Sequence, residues 1–371
     1  MTPFSRTQRG LLGRWWWTVD RPLLAGLGLL ALSGLVFVFA SSPPVAARLG
    51  LPTLHFVARH GIYLLPAALL LLGASLLSPK GVHRLAVGAL LVTLLLLVLT
   101  LLIGPEINGA RRWLPLGGLV MQPSEFLKPA LLVVVAGLLA QAPGLRNALP
   151  ALLLTALVLV LLLSQPDVGM ALALACLVAL QLFLAGLPWL LVLGGAAAGA
   201  LALWQTYLWF PHVALRIDRF LDPTGGDNYQ VGLALQAVQG AAWFGSGPGE
   251  GTVKYALPDA HSDFVFAVIA EEFGLIASLA VLGLFAFLLL RGLARTEAVG
   301  DRFALLAAAG LLAHFGLQTF VNLGVNLSLL PAKGMTLPFI SYGGSSLCAL
   351  ALGMGMFLAL TRRRAGGEAR R

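Results

Sequence analysis

Five short segments of this 371-residue chain put charged and polar side chains into otherwise apolar surroundings, and each has a chemistry open to it. The fourth is the most concentrated. FGSGPGEGTVKYALPDAHSDF, 244–264, carries Lys254, His261 and Asp263 just before an apolar run. A carboxylate at the junction of loop and helix meets water on one side and an apolar wall on the other. Burial raises its pKa and a nearby cation lowers it, so Asp263 suits general-base work; an N-terminal helix cap is the structural alternative. The glycines let backbone amides approach a phosphate, although the GK[ST] of a Walker loop is missing.

The first segment, NGARRWLPLGG…QPSEFLK, holds Arg111 and Arg112 beside Trp113, with Glu125 and Lys128 at i,i+3 on one helix face. Arginines at a membrane surface suit phosphate oxygens; an interfacial anchor with a local ion pair is the plainer reading. SQPDVG sets Asp167 in a turn, and RIDRFLDP packs Arg216, Asp218, Arg219 and Asp222 into a surface loop or an anion site. The fifth, 322–346, places Asn322, Asn326, Lys333, Ser341 and Tyr342 around a Pro/Gly-broken turn. Glu271 and Glu272 stand apart from these. They lie about 12 Å along the helix from Asp263, beyond the ~5–9.5 Å of a glycosidase carboxylate pair. They are expected to face the bundle interior, protonated or paired with Arg59, Lys128, His314 or Gln318.

The elements that must position these groups are membrane spans. The chain is 59% hydrophobic and 11% charged, the composition of an all-α polytopic membrane protein. Apolar runs long enough for a bilayer fall near 22–42, 55–77, 83–103, 123–142, 147–164, 168–184, 188–210, 264–290, 303–327 and 336–360. Ten spans put both termini in the cytoplasm. Most of the basic residues then lie on that side, including Lys80, Arg84, Arg146, Arg291, Arg295 and Arg302, as the positive-inside rule requires. The net charge of +9 thereby reflects topology and needs no nucleic acid. The organisation is a cytoplasmic tail (1–21), one membrane domain (22–360) with a large external loop (211–262) between spans seven and eight, and a basic tail (361–371). The loop is expected to be ordered and amphipathic at the membrane surface. RWWWTVDR reads as an interfacial anchor rather than part of a cleaved leader. Cys176 and Cys348 lack metal spacing and read as small apolar residues. No internal repeat points to an inverted-repeat transporter.

NGARRWL, QPSEFLK, QPDVG, RFLDP, LPDAHSDFVFAVIAEEFG and LPFISYGGSS, in that order, resemble the SEDS family of bacterial cell-wall proteins. PAKGMTLPFISYGGSS and ASSPPVAARLGLPTLHFVARH are similar to its division branch, of alphaproteobacterial type, more than to its elongation branch. His60 stands where the family usually has glutamine, and Phe273 where it has leucine. The resemblance implies a peptidoglycan glycosyltransferase that polymerises lipid II, an undecaprenyl-pyrophosphate disaccharide pentapeptide, onto a nascent glycan strand. It implies an inner-membrane enzyme at the division septum, working with a class B penicillin-binding protein (an FtsI-type transpeptidase) and other divisome membrane proteins. The family's essential aspartate falls on Asp263 and its fourth-span glutamate and lysine on Glu125 and Lys128. On that footing Arg111, Arg112, Arg216, Arg219 and Lys254 are candidates to hold pyrophosphate, with His261, Lys333 and Ser341 as further substrate contacts. The residues point to no particular cofactor. A divalent cation, Mg²⁺ or Mn²⁺, is an option without a legible ligand set. The alternatives are a lipid II flippase, an elongation polymerase and a scaffold for the transpeptidase. Polar groups confined to the outer ends of the spans favour the enzyme over the flippase.

Overall fold

Four of the long helices begin where the sequence supplies a side-chain cap, at Asp20, Ser78, Asp167 and Asp301. Asp20 accepts Leu23 N–H at 3.0 Å ahead of α2 (Arg21–Ser41), and Ser78 accepts Gly81 N–H at 3.1 Å ahead of α5 (Pro79–Ile103). Proline follows in the first turn of both, where its missing N–H costs nothing. In the computed structural model, which describes residues 10–107, 109–116, 119–141, 145–209, 214–215, 218, 229–331 and 334–363, helices occupy all ten expected positions. The remaining eight of these are α4 (His55–Ser75), α6 (Pro123–Ala140), α7 (Leu145–Ser164), α8 (Val168–Leu184), α9 (Trp189–Trp209), α12 (Val265–Glu297), α13 (Arg302–Asn326) and α14 (Gly344–Leu360). Among the described residues, six helices (α2, α4, α5, α6, α12 and α13) are long and apolar enough to cross a membrane.

Short elements complete the chain: α1 (Leu11–Thr18), α3 (Pro43–Arg48), α10 (Tyr229–Gln239) and α11 (Val253–Ala256). The segment 104–125, expected only as an external connection, contains a small antiparallel hairpin, β1 (Leu114–Leu116) with β2 (Leu119–Met121). The last span is shorter than expected, because residues 338–341 form a turn before α14 begins at Gly344.

Helices α6, α13 and α14 form the centre, and every α14 residue from Ser346 to Leu360 is buried. α4 packs along α14 at close range: a Cβ at Gly355 would sit 2.5 Å from Leu71 O, the small-residue approach typical of membrane helices. α9 packs chiefly on α8 and leaves most of its described side chains exposed.

Helix α12 is not the continuous helix read from the sequence. At Gly274 the backbone turns to φ 80°, ψ −173°, a region open essentially to glycine alone. Residues 242–247 dock into the break. Leu275 and Ile276 donate to Ala242 O and Trp243 O, while Ser246 and Gly247 donate to Glu271 O and Glu272 O, all at 2.9–3.2 Å. The helix interruption is thus satisfied by another piece of chain, the condition for broken helices at membrane depth.

At the opposite end of the bundle, Asp20 is 3% exposed and pairs with Arg291 (2.7 and 3.0 Å) and Arg295, both on α12. Burial works to raise the Asp20 pKa, but the hydrogen bonds from Arg291, Leu23 N–H and Arg295 prevail and hold it below the usual carboxylate value. Trp15 Nε1 donates to Ser75 Oγ at 2.9 Å, and Arg362 donates to Leu76 O and Leu77 O. The interfacial helix, the α4–α5 turn and the end of α14 thereby share one surface.

Candidate functional site

The turn 258–264 precedes α12 and presents Asp263. Its geometry starts at Asp259, whose left-handed φ of 52° is one an aspartate tolerates. The Asp259 carbonyl accepts the N–H groups of Ser262 (3.0 Å) and Asp263 (3.1 Å). The cap position of α12 belongs to Phe264 and no side chain caps it, so the Asp263 carboxylate is not engaged as a helix cap. It lies instead over the backbone of Gly334, where an added Cβ would come 3.1 Å from Oδ2.

Asp263 is partly buried. Burial, then the Asp259 charge, raises its pKa to about 7, so both protonation states are populated near neutrality. His261 packs at a 45° tilt against Phe56 (4.3 Å between ring centroids) and 5.2 Å from the Tyr342 ring, and Tyr342 N–H donates to His261 O at 2.9 Å. Burial and the Arg48 charge lower the His261 pKa to about 4, so the imidazole is neutral and its Nδ1 is buried without a partner. Arg48 Nη2 donates to Leu257 O at 2.7 Å, and Arg59 hydrogen-bonds the Tyr342 side chain. These two cations bracket the turn from α3 and α4. Sequence reasoning did not nominate Arg48 or Arg59 as anion ligands. The available signal was that both fall on the outer side of the expected topology, against the positive-inside rule.

Beneath the turn, a second network runs through residues 334–336. Asn322 Nδ2 donates to Met335 O at 2.7 Å, and Gln318 Nε2 donates to Thr336 O (3.1 Å) and Ser346 Oγ (3.0 Å). Gln318 Oε1 accepts Lys128 Nζ at 3.2 Å, and Lys128 pairs with Glu125 at 2.9 Å. The expected i,i+3 pair is therefore present, but it is buried (Lys128 is 1% exposed) and supports segment 334–346 from below. Ser341 Oγ is likewise engaged, accepting Leu337 N–H at 2.9 Å.

Several of the nominated residues are engaged within the protein. Lys254, nominated to hold pyrophosphate, is 2% exposed in its side chain. Its ammonium pairs with Glu272 Oε1 (2.5 Å) and donates to Gly249 O (2.9 Å) and Ala40 O (3.2 Å), so its partners lie inside the protein. Glu271 and Glu272 take none of the partners anticipated for them. Glu272 pairs with Lys254 and accepts Gly249 N–H, and Glu271 accepts the N–H groups of Thr252 (2.6 Å) and Val253 (2.9 Å). They clamp the inserted loop. Arg112 bridges to the α7–α8 turn through Gln165 O, Pro166 O and Asp167, while Asp167 also caps α8 through Met170 N–H.

Arg111 stays half-exposed, 3.8 Å from Glu106. Arg216, Arg219 and Lys333 lie outside the described residues. His60 is 1% exposed with both ring nitrogens lacking a partner. Among the described residues no group of three or more His, Cys, Asp or Glu could hold a metal ion. An apolar cavity of about 590 Å³ opens between α8, α12 and α13, lined by Cys176, Leu180, Leu289, Leu312 and Phe320 among others.

The family of cell cycle proteins represented by FtsW, RodA and SpoVE matches residues 21–366. A probable peptidoglycan glycosyltransferase FtsW of Caulobacter vibrioides is 43% identical over 369 residues, 98% of this chain and 94% of that one. One of Halomonas elongata is 40% identical, covering 91% and 88%. The fold is similar to a chain of a peptidoglycan synthase complex solved for its coordination of polymerization and crosslinking (TM-score 0.77, 34% identity, 93% and 98% covered). It is also similar to the rod shape determining protein RodA of Thermus thermophilus (TM-score 0.68, 34% identity, 93% and 97% covered).

Proposed function

The chain belongs to the FtsW/RodA/SpoVE family of cell cycle proteins, and from that premise we propose how it acts. It is an integral membrane peptidoglycan glycosyltransferase of the division type, polymerising lipid II in the inner membrane at the septum. It has ten spans, both termini are cytoplasmic, and the loop 211–262 is external.

The height of Asp263 carries this reading. Two polar levels mark the bilayer faces. The Asp20–Arg291 pair marks one; Lys254, bound to Ala40 O and Glu272, marks the other. α2 covers the interval in 21 residues, about 30 Å, the thickness of a hydrocarbon core. Asp263 lies nine residues beyond Glu272, about 13 Å above the outer level at helical rise, beyond a headgroup zone of roughly 5–8 Å. That is where the first sugar on a membrane-anchored pyrophosphate must sit.

In the reaction the GlcNAc 4-hydroxyl of one substrate attacks C1 of the donor MurNAc. The hydroxyl proton passes to an Asp263 carboxylate oxygen, the new C1–O4 bond forms, and the C1–O bond to pyrophosphate breaks, its electron pair leaving with the undecaprenyl pyrophosphate. A carboxyl with pKa about 7 is matched to accepting that proton and returning it to water. Charge growing on the departing pyrophosphate needs cations. Arg48 and Arg59 flank the site, and Arg111, Arg216, Arg219 and Lys333 remain proposed contacts. A Mg²⁺ or Mn²⁺ carried on the pyrophosphate would find two carboxylates, Asp259 and Asp263, a donor set that suits Mg²⁺ only together with substrate oxygens. A class B penicillin-binding protein of FtsI type is the proposed partner.

The test is lipid II polymerisation by purified protein with a transpeptidase-inactive partner. Wild type should extend glycan strands and Asp263→Ala should make none. Equal product from both would remove Asp263 from the chemistry. Wild type that makes no strands yet scrambles lipid II across liposomes would make the protein a flippase.

A further inference from the structure

Four polar residues lie at four-residue intervals along α13: Asn326, Asn322, Gln318 and His314. They form a single row down one helix face, and all four are at most 4% exposed. The upper two do something specific. Asn322 Nδ2 and Asn326 Nδ2 both donate to the main-chain carbonyl of Asp263, each at 2.9 Å. Two amide donors from one helix thus converge on the peptide group of the base.

Both asparagines are fixed by their remaining bonds. Asn326 Oδ1 accepts Ala267 N–H at 3.1 Å, tying the start of α12 to the same side chain. Asn322 Nδ2 also donates to Met335 O at 2.7 Å, the residue after the Gly334 backbone that the Asp263 carboxylate overlies. Gln318, one turn lower, holds Thr336 and Ser346 and accepts from Lys128. The row therefore sets the base and the strand beneath it from one rigid scaffold. Neither side chain touches the carboxylate itself.

We propose that Asn322 and Asn326 are positioning residues for glycosyl transfer: their amide fork on the Asp263 carbonyl fixes where the carboxylate stands relative to the acceptor hydroxyl. This rests on the reading of Asp263 as the base. Near-attack geometry tolerates little error, and a displacement of about 1 Å costs on the order of 10²-fold in rate. A fork that acts on the base and not on substrate lowers kcat while leaving KM in place.

The test uses full-length protein with its partner and lipid II, comparing Asn322→Asp, Asn326→Asp and the double variant with wild type. Aspartate keeps shape and acceptor but removes the donors; Asn326→Asp retains the bond from Ala267 N–H. Each single variant should lose about 10-fold in kcat and the double about 10²-fold, with KM for lipid II within about twofold, normalised to the folded fraction on size exclusion. Asn326→Ser, which keeps one shorter donor, should recover part of the loss and is the variant to measure if the aspartate fails to fold. Wild-type kcat in the folded fraction, or a loss confined to KM or to thermal stability, overturns the proposal. Strands made by wild type but not by Asp263→Ala keep the base assignment separate from the fork; no strands from wild type sinks both.

Discussion

Replacing Lys254 by methionine separates the two roles open to this lysine, phosphate ligand and buried tie. The change removes the ammonium from a site where it meets Glu272, Gly249 O and Ala40 O, and where Glu272 itself is 0% exposed. A buried carboxylate left without its cation destabilises by about 3–5 kcal/mol. Unfolding entropy of ~2.1 cal/mol/K per residue makes each kcal/mol roughly 1.3 °C for a chain of this length, so Tm should fall by roughly 4–7 °C. Lys254→Met/Glu272→Gln should regain most of that, because no buried charge remains and the glutamine oxygen can still accept Gly249 N–H. Thermal unfolding in detergent, read by intrinsic fluorescence for the four variants of the cycle, measures both effects. Polymerisation per folded molecule should stay within about threefold of wild type. If Lys254→Met instead unfolds at the wild-type temperature but raises KM for lipid II, the lysine is a substrate contact and its burial has been misjudged.

Asp263 must be deprotonated to accept a proton, so kcat should rise about tenfold per pH unit below about pH 7 and level above it. A profile flat from pH 5 to 8 would rule out this base; the groups able to shift the midpoint are Asp259, neutral His261, Arg48 and Arg59. Gly274→Ala forces a side chain into φ 80° against the backbone of Gly245 and Phe244, a strain of about 1–3 kcal/mol before any clash. It should undock residues 242–247, exposing them to protease; an unchanged digestion pattern would count against the insertion. Asp20→Asn should lower Tm at neutral pH. Because the folded pKa of Asp20 is depressed, its stabilisation is present above the ordinary carboxylate value near 4 and is lost as pH falls through the folded value. Wild type and variant should therefore converge in acid, and a Tm gap independent of pH would contradict the ion-pair account.

What the sequence disclosed and what it hid divide along physical lines. Helix positions were legible because apolar run length is a local property, and the caps at Asp20, Ser78 and Asp301 are local too. The place of Asp263, at the junction of loop and helix, was legible because the apolar run starts right after it. The break at Gly274 was not, since a lone glycine in EEFGLIAS fits an intact membrane helix. Only the arrival of residues 242–247, some thirty positions upstream, distinguishes the two. The same long-range contact decided Lys254. In GEGTVKYALP it reads as a loop cation facing solvent, yet its partners come from α2 and α12, which composition cannot bring together. Glu271 and Glu272 were rightly separated from Asp263 by helical geometry. Their partners come from the loop 249–254, which helical spacing within the apolar runs cannot bring to them.

The polar row on α13 bears on enzyme against flippase. The sequence reading rested on polar groups being confined to the outer ends, yet His314 lies twelve residues from the end of α13, about 18 Å into the bundle. One turn further on, Gln181 packs against Gly310 and donates to Leu132 O and Leu306 O. Polar groups thus descend most of the membrane thickness, and position alone no longer excludes transport. Enclosure argues against it. Asn326, Asn322, Gln318, His314 and Gln181 are 0–4% exposed; the amides bond carbonyls or one another across α6, α8, α13 and the 334–336 segment. A path for a charged disaccharide would have to part these helices and strand each buried amide, at about 1–3 kcal/mol apiece. Such a row fixes helices relative to one another, which is what a site needing sub-ångström placement of its base requires and a conduit does not.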